Sequence, residues 1–112
     1  MIEIKLLFIC SRNKWRSLTA EKIFNGVNGY EVRSAGTEPN ARIKVTSGHI
    51  GWADVVFVME KKHLRRIRDR FGYILENKKI INLDIPDDYS YMDEELVELL
   101  KCRVSEHIVI NN

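Results

Sequence analysis

Cys10 and Arg16 are separated by Ser11, Arg12, Asn13, Lys14 and Trp15, and Ser17 follows the arginine at once. The stretch combines a thiol with two arginines and a lysine. A loop this basic faces water or holds an anion. Where a buried strand gives way to a helix, backbone N–H groups can converge on one point, and the helix dipole adds partial positive charge there. A thiol facing such a nest ionises more readily than a free one, and the thiolate is the nucleophile. At the helix start the planar fork of Arg16 can grip two oxygens of a tetrahedral anion. Ser17 can donate its hydroxyl to the thiolate and cap the helix. Asn13 can bridge across the loop and hold an unusual backbone. C-x5-R alone is a weak pattern, and a strand-end cysteine is often only a small buried hydrophobe. The preceding strand, the following helix and the adjacent Arg-Ser pair give the pattern its weight.

These residues need a strand and a helix to position them. Residues 4–9 form an almost continuous apolar run, as in a strand buried on both faces. Leu18, Ala20, Ile23, Phe24 and Val27 recur at helical spacing, and Asn28-Gly29 is expected to end that helix. Residues 30–34, "YEVRS", alternate like an edge strand, and "AGTEPNA" reads as a loop. Residues 40–51 read as a short helix or irregular chain. Residues 55–59 are a further buried strand. Residues 60–71 are a helix with Leu64, Ile67 and Phe71 inward, and residues 79–83 are the fourth strand. "DIPDDYSY" is a loop. A final helix is expected from Asp93 to about Ile108, with Leu96, Leu99, Leu100 and Val104 inward. Its acidic first turn (Asp93, Glu94, Glu95) and later Lys101, Arg103 and His107 suit the helix dipole.

This alternation predicts an α/β fold: one domain over residues 1–112, with a four-stranded parallel sheet flanked by helices on both faces. In such sheets ligands bind beyond the carboxyl ends of the strands, near the point where strand order reverses. Cys10 ends the first strand, and residues 84–89 follow the fourth. Both loops therefore belong to one edge of the sheet.

Composition narrows the function. The 112 residues are 45% hydrophobic and 30% charged with a net charge of +2, ordinary for a globular domain and too mild to imply nucleic acid. The two cysteines, Cys10 and Cys102, form no disulfide framework, which suggests a reducing, cytoplasmic setting. The opening "MIEIKLLFIC" lacks a basic leader and a small-residue cleavage site, and no apolar stretch is long enough to span a bilayer. No membrane association is expected. His49, His63 and His107 have no metal-ligand spacing with either cysteine, so neither metal nor cofactor is expected. "KKHLRRIRDR" could dock an acidic phosphoprotein or RNA, but reads first as the solvated face of its helix. Cys102, among Leu99, Leu100 and Val104, reads as a packed helix thiol, and Trp52 as core or a sheet-edge cover.

"LLFICSRNKWRSLTAEKIF" resembles the active-site region of the low-molecular-weight protein tyrosine phosphatases. The family pattern is C-x-G-N-x-x-R-S followed by a helix that often contains Ala-Glu. Cys10, Asn13, Arg16, Ser17 and Ala20-Glu21 match it. "SAGT" at residues 34–37 matches a second landmark. "ADVVFVME" at residues 53–60 resembles a third, a strand ending in Met-Asp. "IPDDY" at residues 85–89 resembles the Asp-Pro-Tyr general-acid loop. The landmarks run in family order over nearly the whole chain, as in a short, truncated member. The chain also departs from the pattern. Arg12 stands where the family usually has Gly, which bears on the shape of the loop. Trp15 stands where many members carry a second cysteine, so no disulfide can form within the loop. The stretch between "SAGT" and "ADVVFVM" is short, and in the family that region supplies an aromatic wall of the phosphotyrosine pocket.

The resemblance implies a phosphate monoester hydrolase acting through a cysteinyl-phosphate. Cys10 would be the nucleophile, with Arg16 and the loop (Ser11, Arg12, Asn13, Lys14, Trp15 and Ser17) holding phosphate. Asp87 aligns with the family acid, with Asp88 and, more weakly, Asp84 as alternatives. Asp88 and Tyr89 would flank the substrate, and Tyr89 could instead pack over the loop. The implied partner is a phosphorylated protein or a small aryl phosphate. Other readings are an arsenate reductase on the same fold, a phosphate-binding or phosphoprotein-reading module without turnover, and a phosphotransfer domain.

Overall fold

The structure, a computed structural model, describes residues 4–109. The elements in chain order are β1 (Ile4–Cys10), α1 (Arg16–Phe24), β2 (Tyr30–Gly36), α2 (Ser47–Trp52), β3 (Val55–Val58), α3 (Lys61–Phe71), β4 (Lys79–Asn82) and α4 (Glu94–Ser105). The strands form one parallel sheet in the order β2-β1-β3-β4. This is the expected four-stranded architecture, with "YEVRS" on an edge strand.

Strand periodicity sorts β1 and β3 between two apolar layers. Leu6, Phe8 and Cys10 face one side with Val55, Phe57 and Met59, where they pack against Phe24 of α1 and Leu96, Leu100 and Val104 of α4. Leu7 and Ile9 face the other with Val56 and Val58, against Ile50 of α2 and Ile67 of α3. Phe8 stacks on Phe57 at 4.9 Å and on Phe24 at 5.7 Å between ring centroids. Each such ring removed from water contributes about 1.5–3 kcal/mol. Strand β1 is thereby clamped on both faces, and Cys10 ends a strand buried on both sides.

Helix α1 ends at Phe24, earlier than the expected Asn28-Gly29. The first Asn-Gly pair stops it. Asn25 is already extended at φ −63°, ψ 123°, and Gly26 takes a left-handed φ of 86°. The Asn25 side chain then accepts the Val32 N–H at 3.0 Å, so Val27 falls in a separate turn. The ambiguous stretch resolves into irregular chain and then α2. Thr46 caps α2, its hydroxyl accepting the His49 N–H at 3.3 Å. Trp52 is the sheet-edge cover, with Arg33 of β2 stacked 4.3 Å over its ring.

Helix α4 is shorter than expected at both ends, with Asp93 as its cap: the Asp93 Oδ1 accepts the Glu95 N–H at 2.9 Å. Cys102 corrects the expectation of a packed thiol, because it is exposed. The inward stripe of α4 is Leu96, Leu100 and Val104. A residue two places from both Leu100 and Val104 points to the opposite face. No helix among the described residues is long and apolar enough to cross a membrane.

Candidate active site

In the strand order β2-β1-β3-β4 the chain leaves β1 to one side and returns on the other. The loops after β1 and β3 therefore flank the switch point. Cys10 and Glu60 begin those loops.

The thiol of Cys10 is buried at the base of its loop. Asn13 takes a left-handed backbone at φ 57°, which asparagine tolerates better than most residues. That turn aims the Asn13 N–H at the Cys10 Sγ, 3.2 Å away. The Asn13 Nδ2 donates to the Ser17 Oγ at 2.7 Å, so the serine hydroxyl is left to donate to the Cys10 Sγ at 3.0 Å. The two expected roles of Ser17 thus reduce to one. It lies inside the first turn of α1, and Trp15 occupies the cap position without a side-chain bond. Arg12 is absent from the residues with positive φ, so no glycine is required where it stands.

Neighbouring chain ties the loop down. Thr37 N–H donates to the Cys10 carbonyl, Glu38 N–H to that of Ser11 and Arg42 N–H to that of Arg12, at 2.9–3.0 Å. Arg42 Nε adds a bond to the Asn13 carbonyl at 3.2 Å. This lacing accounts for the glycine of "SAGT". A Cβ on Gly36 would lie 2.5 Å from the Ser11 carbonyl oxygen, closer than any side chain permits.

Arg16 is 2% exposed. Its Nη1 donates to the Glu60 Oε2 at 2.5 Å and to the Ile85 carbonyl at 2.8 Å. Both hydrogens of Nη1 are thereby engaged, leaving Nη2 and Nε for an anion. Burial alone would raise the Glu60 pKa. The hydrogen bond and charge of Arg16, with Lys62 beside it, outweigh burial and hold the carboxyl below its ordinary value.

His63 is fully buried in the first turn of α3. Its Nδ1 accepts the Glu60 N–H at 3.1 Å, so the proton sits on Nε2, which donates to the Ser11 Oγ at 2.9 Å. Burial foremost, then the charge of Arg16, lowers its pKa to about 3, so the ring is neutral. The sequence reading weighed His63 only as a metal ligand and gave Glu60 no role. The missed signals were a carboxylate directly after a buried strand and a histidine four residues before the inward Ile67.

A cavity of about 610 Å³ opens over the thiol, lined by Cys10, Ser11, Arg12, Lys14, Trp15, Glu38, Asn40, Lys62 and Asp87. Asp87 is exposed, with Oδ1 3.7 Å from the Arg16 Nε. Asn13, Arg16 and Ser17 are buried beside the cavity, with Arg16 Nη2 and Nε not taken up by Glu60 or Ile85. The other acid candidates lie elsewhere. Asp84 turns aside at φ 53°, bonding to Asn82 through both its N–H and its Oδ1. Asp88 is exposed and does not line the cavity. Tyr89, expected either to flank the substrate or to pack over the loop, does not line the cavity. It packs against the α1/α4 core layer, beside Glu94, Glu95 and Cys102. Among the described residues no group of three His, Cys, Asp or Glu side chains could hold a metal ion.

No protein-family model matches the chain, and no curated protein matches it. Solved structures do. The YwlE arginine phosphatase from Geobacillus stearothermophilus is 23% identical with a TM-score of 0.72, over 92% of this chain and 91% of the other. The low-molecular-weight protein tyrosine phosphatase from T. tengcongensis is 22% identical with a TM-score of 0.71, over 94% and 99%. A protein tyrosine phosphatase from Entamoeba histolytica is 22% identical with a TM-score of 0.72, over 96% and 99%. At this identity the likeness establishes the fold: the chain is built as the low-molecular-weight protein tyrosine phosphatases are.

Proposed function

We propose that residues 1–112 act as one cofactor-independent phosphate monoester hydrolase domain of the cytoplasm, of the protein tyrosine phosphatase type. The observation that carries the reading is one cavity with the Cys10 thiol at its base, the fixed Arg16 guanidinium behind it and the Asp87 carboxyl at its rim. A binding module needs the first two, whereas turnover needs the third.

In the first step the Cys10 Sγ attacks phosphorus in line, the S–P bond forming as the bond to the leaving oxygen breaks. Asn13 N–H and the Ser17 hydroxyl stabilise the sulfur's negative charge before attack. Arg16, through Nη2 and Nε, stabilises charge on the equatorial oxygens. Asp87 gives its proton to the departing oxygen. In the second step water attacks the cysteinyl-phosphate, Asp87 takes its proton, and phosphate leaves as the S–P bond breaks.

Trp15, 48% exposed at the rim, offers a flat apolar face to an aromatic leaving group. This supports an aryl phosphate or a phosphotyrosyl protein. Three cations line the cavity (Arg12, Lys14 and Lys62) against two carboxylates (Glu38 and Asp87), a positive balance that disfavours phosphoarginine, whose leaving group is a cation.

Phosphate release from para-nitrophenyl phosphate, with Cys10→Ser as control, tests the reading. Release by the native chain and none by the variant is the expected result. No release by the native chain, with phosphate still bound, would make the protein a binding module.

A further inference from the structure

Helices α2 and α3 begin in the same way. In each, the third residue is a histidine whose Nδ1 accepts the N–H of the capping residue: His49 from Thr46 at 3.0 Å, and His63 from Glu60 at 3.1 Å. A glutamate or glutamine commonly fills that place, and the turn asks only for an acceptor. In α2 the ring does no more than cap, since the His49 Nε2 has no hydrogen-bond partner among the described residues. In α3 it does more. The His63 Nε2 donates to the Ser11 Oγ at 2.9 Å, across 52 residues of chain. The cap accounts for one nitrogen of His63 and leaves the other to be explained.

Fixing the loop does not explain it. The backbone around Ser11 is already held by the N–H groups of Thr37, Glu38 and Arg42. The His63 bond falls on the side-chain oxygen instead. Among the described residues that oxygen has no other partner, so one lone pair is occupied and the hydroxyl hydrogen is free. Ser11 lines the cavity next to Cys10. A hydroxyl that accepts one hydrogen bond is polarised and gives a stronger one. The neutral ring does this without adding a charge beside Arg16. Glu60 serves both groups, its N–H fixing the His63 ring and its carboxylate holding Arg16.

Resting on the phosphatase reading above, we infer that His63 is a positioning residue that acts through Ser11, turning the serine hydroxyl so that it donates to a phosphoryl oxygen in the cavity.

The two amide side chains divide the roles of the ring. Asparagine puts an oxygen near the place of Nδ1, so His63→Asn keeps the cap and loses Ser11. Glutamine reaches as far as Nε2 with an N–H, so His63→Gln keeps the bond to Ser11. Calorimetric titration with inorganic phosphate reads the outcome. Ser11→Ala should weaken binding by about tenfold, as for a hydrogen bond to a charged group, and His63→Asn by about three- to tenfold. His63→Gln should bind close to the native chain. In the Ser11→Ala background His63→Asn should add nothing, because the group it acts through is gone. A histidine that only supports the fold gives another pattern. A further loss in that background, equal losses in Asn and Gln, or native binding by Ser11→Ala each overturns the proposal. One measurement needs no His63 variant. The His63 Nε2–H proton resonance should move when phosphate binds the native chain, and should stay in place in Ser11→Ala. A resonance unmoved in the native chain, or no binding of phosphate at all, overturns the proposal. Hydrolysis of para-nitrophenyl phosphate by the native chain separates the two readings. The expected phosphate pattern without hydrolysis supports the role of His63 and sinks the phosphatase reading. Hydrolysis with phosphate binding indifferent to Ser11 does the reverse.

Discussion

The Glu60 carboxylate holds the Arg16 guanidinium from behind, Oε2 to Nη1 at 2.5 Å, across 44 residues of chain. The pair fixes which edge of the arginine is free, because Glu60 and the Ile85 carbonyl engage one edge and Asp87 faces another. Removing Glu60 strands a buried cation. Losing one partner of a buried pair costs about 3–5 kcal/mol, and the partial exposure of Glu60 lowers this to roughly 2–3 kcal/mol. Glu60→Ala should therefore shift the urea midpoint downward by that amount, and Glu60→Gln, which keeps an acceptor, by less. Equal midpoints for native and Ala variants would show that the pair does not hold the site together.

Arg16→Lys should fail as a substitute. An ammonium cannot meet Glu60, the Ile85 carbonyl and an anion together with the geometry of a planar fork. We expect loss of most kcat/KM on para-nitrophenyl phosphate in a variant that still folds, with circular dichroism as the control. Near-native kcat/KM in the lysine variant would count against a bidentate role.

Asp87→Asn should slow phenyl phosphate far more than para-nitrophenyl phosphate. A poor leaving group needs a proton, and a positioned acid contributes about 10²–10⁴-fold. Asp84→Asn and Asp88→Asn should change neither rate much, since neither carboxylate lines the cavity. A leaving-group-dependent loss in Asp88→Asn instead of Asp87→Asn would swap the roles.

His63 makes a prediction about acid. Its folded pKa of about 3 lies below the ordinary 6.5, so between these values the unfolded chain binds the extra proton. Stability from this group is fully present above pH 6.5 and falls as pH drops toward about 3, by about 1.4 kcal/mol per unit. His63→Gln should be less stable at neutral pH yet flatter against pH between 6.5 and 4. Parallel pH profiles for the native and variant chains, from urea midpoints, would mean that the ring does not sit neutral against Ser11.

Alkylation separates the two thiols. Cys10 sits in the loop, and inorganic phosphate should slow its reaction with iodoacetamide. Cys102 is exposed on α4 outside the cavity, and its labelling should ignore phosphate. Site-resolved mass spectrometry reads both. Phosphate protection at Cys102 in place of Cys10 would displace the site.

That Cys10 and residues 84–89 share one edge of the sheet was legible in the sequence because strand ends encode it, whereas the choice of Asp87 within the second loop came from the family resemblance. A buried apolar run fixes where a strand stops, and parallel strands bring their carboxyl ends to one edge. His63 was not legible because seven of the ten residues of "KKHLRRIRDR" carry charge, and a histidine there reads as surface. Only the phase shared with Ile67 places it inside. Cys102 misled for the opposite reason, since apolar neighbours along the chain are not neighbours across a helix. The early end of α1 turned on which of two Asn-Gly pairs takes the left-handed turn, and composition does not distinguish them. The lacing of the loop by Thr37, Glu38 and Arg42 depends on backbone groups that carry no side-chain signature.

Trp15 gives the protein an optical property. The chain has two tryptophans, and Trp52 lies under the Arg33 guanidinium at the far sheet edge. Trp15 stands at the rim of the cavity, half in water. Its indole emission should shift or quench when an anion or an aromatic ring enters, while Trp52 supplies a steady background. Occupancy of the cavity is then readable in real time from intrinsic fluorescence, without a label and before any bond is broken.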